Sequence, residues 1–105
     1  MVDGIEIIIK EGIKEIINSF IYPKNNSIYI NDKKYNIEDE KIREILNILA
    51  LWDNDNYFDK KIDLQEYKIK VYSNNEITEY VGKSKYPETY KRLKDIIGEI
   101  QNGQI

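Results

Sequence analysis

The chain offers carboxylates, lysines and hydroxyl groups for chemistry, because the sequence contains no histidine and no cysteine. Their absence removes the usual general base near neutral pH, thiolate nucleophiles, disulfides and cysteine-based zinc sites. Paired carboxylates can hydrolyse glycosides, but that reaction needs a cleft, which a small two-layer domain rarely encloses. The glycines are isolated and form no phosphate-binding loop. We therefore predict that the protein is not an enzyme and uses no cofactor.

The most extended polar stretch, residues 53–63, is rich in aspartate and invites a calcium-binding interpretation. An EF-hand loop beginning at Asp53 requires an oxygen ligand at the position of Tyr57 and a glycine at the position of Phe58. The sequence meets neither requirement. It therefore predicts no metal site here, only a solvated connection between a helix and a strand.

Aromatic residues accompany the acidic ones in this stretch. Exposed aromatic side chains can supply much of the energy of a protein interface, and functional residues favour loops. Trp52 also fits the apolar stripe of the preceding helix, so a core position for it stays open. The candidate partner-contact residues are Trp52, Asp53, Asp55, Tyr57, Phe58 and Asp59.

A second candidate surface is the outward face of a predicted strand that carries Lys68, Lys70 and Tyr72. Basic residues interleaved with tyrosines on a sheet can hold single-stranded nucleic acid by charge and stacking. Glu66, Glu76 and Glu79 dilute this patch. The net charge of -3, from 19 acidic and 16 basic residues, also argues against a duplex-DNA binder. Nucleic-acid binding therefore ranks second to protein binding.

The elements that position these residues begin with a β-hairpin over residues 67–82. Both halves alternate apolar and polar residues, and Asn74 and Asn75 tolerate the positive φ angles of a tight turn. With these two residues as the turn, Lys70 lies opposite Glu79 and the strands have complementary charges. One face of the hairpin then gathers Tyr67, Ile69, Val71 and Tyr80.

Two stretches have apolar residues at helical spacing, and they predict helices over residues 39–52 and 88–101. Pro87 suits the first turn of the second helix, where a missing N–H costs nothing. Gly98 weakens that helix, so we expect fraying from there and an end near Gly103.

The N-terminal part predicts strands. Residues 4–10 alternate as a first strand, and residues 28–37 form a hairpin with Asn31, Asp32 and Lys33 at its tip after a loop at residues 23–27. Residues 13–21 match a helical stripe, yet a glycine turn after a strand indicates a hairpin, and we favour a strand. The prediction is a single α+β domain over residues 1–105, with a mainly antiparallel sheet of five to six strands and two helices in the order ββββαββα.

The chain begins without the basic segment and apolar run of a secretion signal. No stretch approaches the roughly 20 apolar residues that cross a membrane. We therefore expect a cytoplasmic protein with no membrane partner.

Residues 66–100 carry a resemblance to a known group of proteins. The strand ending in Val71-Tyr72, the segment Tyr80-Val81-Gly82-Lys83 and the helix after Tyr86-Pro87 resemble the C-terminal hairpin and helix of small uncharacterised low-GC bacterial proteins. Some of these are similar to immunity proteins of toxin systems, which implies a domain that binds another protein.

The absence of a catalytic set points in the same direction. We predict a non-enzymatic protein-binding module with an unknown protein partner, either of the immunity type or a phage-related inhibitor. A third expectation is that the chain forms a homo-oligomer through a sheet edge.

Overall fold

The computed structural model describes residues 2–52, 57–58, 65–83 and 87–103. In this part of the chain there are two helices, α1 (Asp39–Ala50) and α2 (Tyr90–Asn102), and a short 3-10 turn at Pro23–Asn25. The strands are β1 (Val2–Glu11), β2 (Lys14–Tyr22), β3 (Ser27–Ile30), β4 (Lys33–Asn36), β5 (Tyr57–Phe58), β6 (Gln65–Ser73) and β7 (Glu76–Lys83).

All the strands belong to one sheet, in the order β4-β3-β2-β1-β6-β7-β5. The six strands from β4 to β7 pair antiparallel, and the two-residue β5 adds a parallel pairing at the end of β7. The predicted α+β fold, with its mainly antiparallel sheet and two helices, is confirmed. The short β5 was not predicted.

The central strand β1 shows why the domain has two layers. Its residues Ile5, Ile7 and Ile9 are fully buried, while the residues between them point to the other face. Because successive strand residues point to opposite faces, all the buried apolar residues of the sheet lie on one face. The apolar stripes of α1 and α2 join them in a single core, so the helices cover that face alone.

The β6–β7 turn has the backbone that the sequence predicted, and the β3–β4 turn shares it, although Lys33, predicted at the tip, already belongs to β4. Asn31 and Asp32 have φ values of 48° and 70°, and Asn74 and Asn75 have φ values of 49° and 71°. Two consecutive positive φ angles match the right-handed twist of the flanking strands. The predicted register of the β6–β7 hairpin is confirmed, with Ser73 opposite Glu76 and Lys70 opposite Glu79.

Asn31 also closes part of the sheet edge. Strand β3 pairs with β2 only from Ser19 to Tyr22, and no other strand among the described residues pairs with the first half of β2 on that side. Beyond β3, the Asn31 side chain accepts a hydrogen bond from the Asn18 backbone N–H at 2.9 Å and donates one to the Ile16 carbonyl at 3.2 Å. The Asn31 backbone N–H donates to the Asn18 carbonyl.

The structure resolves the ambiguous segment and shifts several boundaries. Residues 13–21 contribute a strand, β2, as favoured. The predicted loop at residues 23–27 contains the 3-10 turn, and helix α1 ends at Ala50. Helix α2 begins at Tyr90 instead of residue 88, because the Pro87 carbonyl accepts the Tyr90 N–H in a turn before it.

The expected fraying at Gly98 was wrong, although the helix end at Gly103 is confirmed. Ile97 and Ile100 flank Gly98 and are buried, so their packing offsets the weak helix propensity of glycine.

Aromatic residues from the second half of the chain pack together on the helix side of the sheet. Tyr67 is fully buried, and the centres of the Trp52 and Tyr90 rings lie 5.5 and 5.2 Å from its own. Tyr80 meets Trp52 edge-on, and burial raises the pKa of the Tyr80 hydroxyl. Gly82 lies opposite Tyr67 in the sheet, and a Cβ atom there would overlap the Tyr67 ring.

An ion-pair network joins the two helices. The Arg92 guanidinium on α2 donates to both carboxylate oxygens of Glu44 on α1, at 2.7 and 2.9 Å, and to Glu99 at 2.7 Å. Lys41 on α1 completes the network with a 3.0 Å contact to Glu99. The hydrogen bonds from Arg92 to Glu44, and from Lys41 and Arg92 to Glu99, lower the pKa values of both carboxyl groups.

A matched pair of glycine substitutions tests the aromatic packing. We expect Gly82→Ala to destabilise the protein by at least about 2 kcal/mol, because the new methyl group displaces the Tyr67 ring. Gly98→Ala adds the same methyl group where no atom lies within 4 Å, so it should stabilise the protein by about 0.5 to 1 kcal/mol. Urea unfolding of both variants measures the difference, and equal effects would contradict this packing.

The pH dependence of stability tests the ion-pair network. Both folded pKa values are lowered from the ordinary 4.5, so the contribution of the network is present above that pH and is lost as the pH falls below it. Arg92→Gln should therefore lower the urea midpoint at pH 7, with the deficit shrinking toward pH 3. Arg43→Gln on the exposed side of α1 is the control. A deficit that is the same at both pH values would exclude the carboxylates.

Candidate functional site

The face of the sheet opposite the helices is left uncovered by the described part of the chain. We call it the open face. It consists of the outward side chains of β1, β2, β3, β4, β6 and β7. One continuous row of paired residues crosses it from edge to edge: Lys34, Tyr29, Phe20, Glu6, Lys70 and Glu79.

Four aromatic residues form a strip across one end of the open face. Phe20 and Tyr22 have ring centres 4.7 Å apart, and Tyr72 on β6 lies 5.9 Å from Phe20. Tyr29 on β3 meets Tyr22 edge-on at 5.9 Å. Tyr22 and Tyr29 each remain 41% exposed, which is high for large rings on the face of a sheet. We call these four residues the aromatic strip.

Gly4 makes the aromatic strip continuous across β1. The register of β1 against β6 shifts between Val2 and Gly4, and Gly4 pairs with Tyr72. A Cβ atom on Gly4 would lie 2.7 Å from two carbons of the Phe20 ring. The missing side chain therefore lets the Phe20 ring lie over the backbone and reach toward Tyr72.

The rings of the aromatic strip pack against one another. The Phe20 and Tyr22 planes are tilted by 39° with their centres 4.7 Å apart, within the distance range of aromatic pairs. The Tyr22 and Tyr29 planes are nearly perpendicular, at 85°. The strip therefore offers a packed apolar surface more than separate flat platforms for bases.

Charges on the open face are largely compensated. Lys70 lies between Glu6 and Glu79 in the row and approaches the Glu79 carboxylate to 3.9 Å. Lys24 and Asp3 form a loose pair at 4.0 Å at the end that carries the aromatic strip. At the other end lies a depression of about 250 Å³, lined by Ile8, Lys10, Glu15, Glu66, Tyr67 and Lys68. The open face therefore has no large excess of positive or of negative charge.

The structure removes Trp52 from the candidate contact residues. Its side chain is only 6% exposed, packs on Tyr67 and donates its indole N–H to the Thr89 hydroxyl at 2.5 Å. Trp52 is therefore buried with the apolar stripe of the helix and is not an exposed contact residue of the loop. Tyr57 and Phe58 supply the backbone of β5. Asp53, Asp55 and Asp59 lie outside the described residues.

The second predicted set is brought together on one surface. Lys68, Lys70 and Tyr72 alternate along β6 and all point to the open face. Sequence reasoning missed their neighbours in the aromatic strip, because contact between Phe20 and Tyr72 depends on β1 lying between β2 and β6. The alternation of Phe20 and Tyr22 within a strand was the available signal.

Metal-binding groups and membrane-spanning helices are both absent from the residues that the structure describes. No group of three or more acidic residues there could hold a metal ion. Within the same residues, no helix has the length and apolar character needed to cross a membrane. The open face is our candidate site because it carries the half-exposed aromatic strip.

Comparison of the chain with protein-family models, with curated proteins and with solved structures found no match.

Proposed function

We propose that this chain is a non-enzymatic protein-binding module that acts in the cytoplasm and binds its partner through the open face. The observation that carries the proposal is the half-exposed aromatic strip on a sheet face that no described element covers. Tyrosine and phenylalanine are enriched at protein interfaces, where a few such residues supply most of the binding energy.

The charge pattern supports a protein partner over nucleic acid. A nucleic-acid surface needs an excess of positive charge to contact phosphates. On the open face, Lys70 has carboxylates on both sides and Glu66 lies beside Lys68. A surface with both signs fits a protein partner whose own charges are mixed.

We propose the immunity type, or a phage-related inhibitor, as the class of this module. The support is the resemblance of residues 66–100 and the lack of histidine and cysteine. The acidic loop residues Asp53, Asp55 and Asp59 remain a second proposed contact, because they would steer a basic partner toward the domain.

Removal of two tyrosines tests the open face. The combined Tyr22→Ser and Tyr29→Ser variant should lose at least about tenfold in affinity for the partner, since two exposed anchors are removed. Its thermal unfolding should change little, because both rings are partly in solvent. The measurement is capture from the source-cell extract with tagged protein, followed by titration of the captured protein.

The control is Ile13→Ser, which removes a fully exposed apolar side chain from the β1–β2 turn, away from the aromatic strip. Equal capture by wild type and the tyrosine variant would overturn the open-face proposal. If only the variant with Asp53, Asp55 and Asp59 changed to Asn loses the partner, the binding surface is the acidic loop.

Single-stranded nucleic-acid binding is the second candidate, because Lys68, Lys70 and Tyr72 share the open face with Phe20. We expect wild type to give no salt-sensitive gel shift with single-stranded DNA or RNA near physiological salt, for the charge reasons above. A shift that disappears when Lys68→Glu and Lys70→Glu are combined would instead establish the nucleic-acid function.

A further inference from the structure

We propose that the open face binds a second copy of this chain, and that two open faces pack together in a two-fold symmetric dimer. This inference rests on the proposed function, because it names the partner of the same surface. It differs from the sheet-edge oligomer that the sequence suggested. The order of charges across the sheet supports this dimer.

The row that crosses the open face is complementary to its own reverse. In order it reads Lys34, Tyr29, Phe20, Glu6, Lys70 and Glu79. A two-fold axis that runs along the strands, between β1 and β2, places each residue opposite the one at the mirrored position in the row. Lys34 then faces Glu79 of the other copy, Tyr29 faces Lys70 and Phe20 faces Glu6.

Each of these three contacts is favourable in sign. Lys34 and Glu79 are opposite charges. Lys70 over the Tyr29 ring is a cation–π contact, and a Glu6 carboxylate next to Phe20 meets the positive edge of an aromatic ring. Because the axis is two-fold, every contact occurs twice in the dimer. No like charges meet along the row.

The same two-fold rotation also brings opposite charges together at the far end of the open face, away from the aromatic strip. There Lys10 on β1 pairs with Glu15 on β2. The axis between these two strands exchanges them, so that Lys10 of one copy faces Glu15 of the other. The charge order of a second row is therefore also consistent with the proposed axis.

Lys34 has a charge available for such a contact. Its side chain is exposed, and it forms no ion pair within the described residues. Glu79 is only loosely held, at 3.9 Å from Lys70, and its side chain is 44% exposed. Both are exposed side chains that can reach across an interface.

The size of the open face is adequate for a weak dimer. The four long strands β2, β1, β6 and β7, spaced about 4.8 Å apart, make it roughly 14 Å wide, and the residues from Gly4 to Lys10 give it a length of roughly 20 Å. The four-residue strands β3 and β4 widen it by roughly 10 Å over half of that length. The projected area is roughly 400 Å², and standing side chains raise the accessible area above this value, toward the lower end of the sizes of specific interfaces. Facing sheets pack about 10 Å apart with strands within about 30° of each other.

Charge reversal with rescue tests the dimer. We expect wild type to dimerise with a dissociation constant on the order of micromolar, measured by sedimentation equilibrium over a range of concentrations. Lys34→Glu alone, and Glu79→Lys alone, should each weaken the dimer at least about tenfold, because each creates two repelling pairs. The combined Lys34→Glu and Glu79→Lys variant should restore most of the affinity, since opposite charges face each other again.

The control is Lys33→Glu, which makes the same charge change on the same strand but on the other face, where Lys33 lies over the Tyr35 ring. Glu79→Lys also deprives Lys70 of its ion pair, so thermal unfolding of each variant is measured alongside. Rescue by the double variant cannot come from a folding defect, because the two single changes have no contact within one copy.

The outcomes separate the two proposals. A wild type that is monomeric at every concentration, with tyrosine-dependent capture of another protein, overturns the dimer and supports the proposed function. A dimer that is unchanged by the single reversals, or is not restored by the double variant, also overturns the inference. If neither the dimer nor capture responds to Tyr22→Ser and Tyr29→Ser, the open-face function itself fails.

Discussion

Burial of the isoleucines of β1 is the constraint on which the rest of the structure depends. Ile5, Ile7 and Ile9 lie in the middle of the sheet, are fully buried and share one core with the apolar stripes of both helices. Each buried side chain of this size contributes about 1.5 to 3 kcal/mol relative to exposure. A slip of one residue would place all three in water, so the register of the neighbouring strands follows from β1. The same alternation directs the aromatic strip and the lysines of β6 to the opposite face.

Local sequence signals predicted the C-terminal hairpin correctly because its turn, its charges and its apolar alternation agree. Asn74 and Asn75 can form only a few kinds of turn, and Lys70 opposite Glu79 is consistent with one register. For residues 13–21, the local sequence signals did not agree with one another. Their isoleucines match a helix, and a shift in the β1–β2 register near Ile16 disturbs the strand period. Pairing with both β1 and β3 makes this segment a strand. A single sequence does not reveal those neighbours.

The sequence identified only part of the candidate surface. Lys68, Lys70 and Tyr72 were identified because one strand carries them, but the aromatic strip joins residues from β2, β3 and β6. Gly4, which had no turn or motif to mark it, matters because the Phe20 ring lies against it. Trp52 shows the opposite difficulty. Helical spacing and a neighbouring acidic loop gave it two interpretations, and only the packing of Tyr67 and Thr89 around it separates them.

The hydrogen bonds of Asn31 have a consequence for how copies of this chain can aggregate. An exposed strand edge is a template on which further strands can add without limit, as in a fibril. The single side chain of Asn31 occupies the N–H of Asn18 and the carbonyl of Ile16, so an incoming strand finds these groups of β2 already taken. The short outer strand β4 presents lysines, which further discourage such addition. The dimer proposed for the open face would end with two copies, whereas association through edges has no natural end.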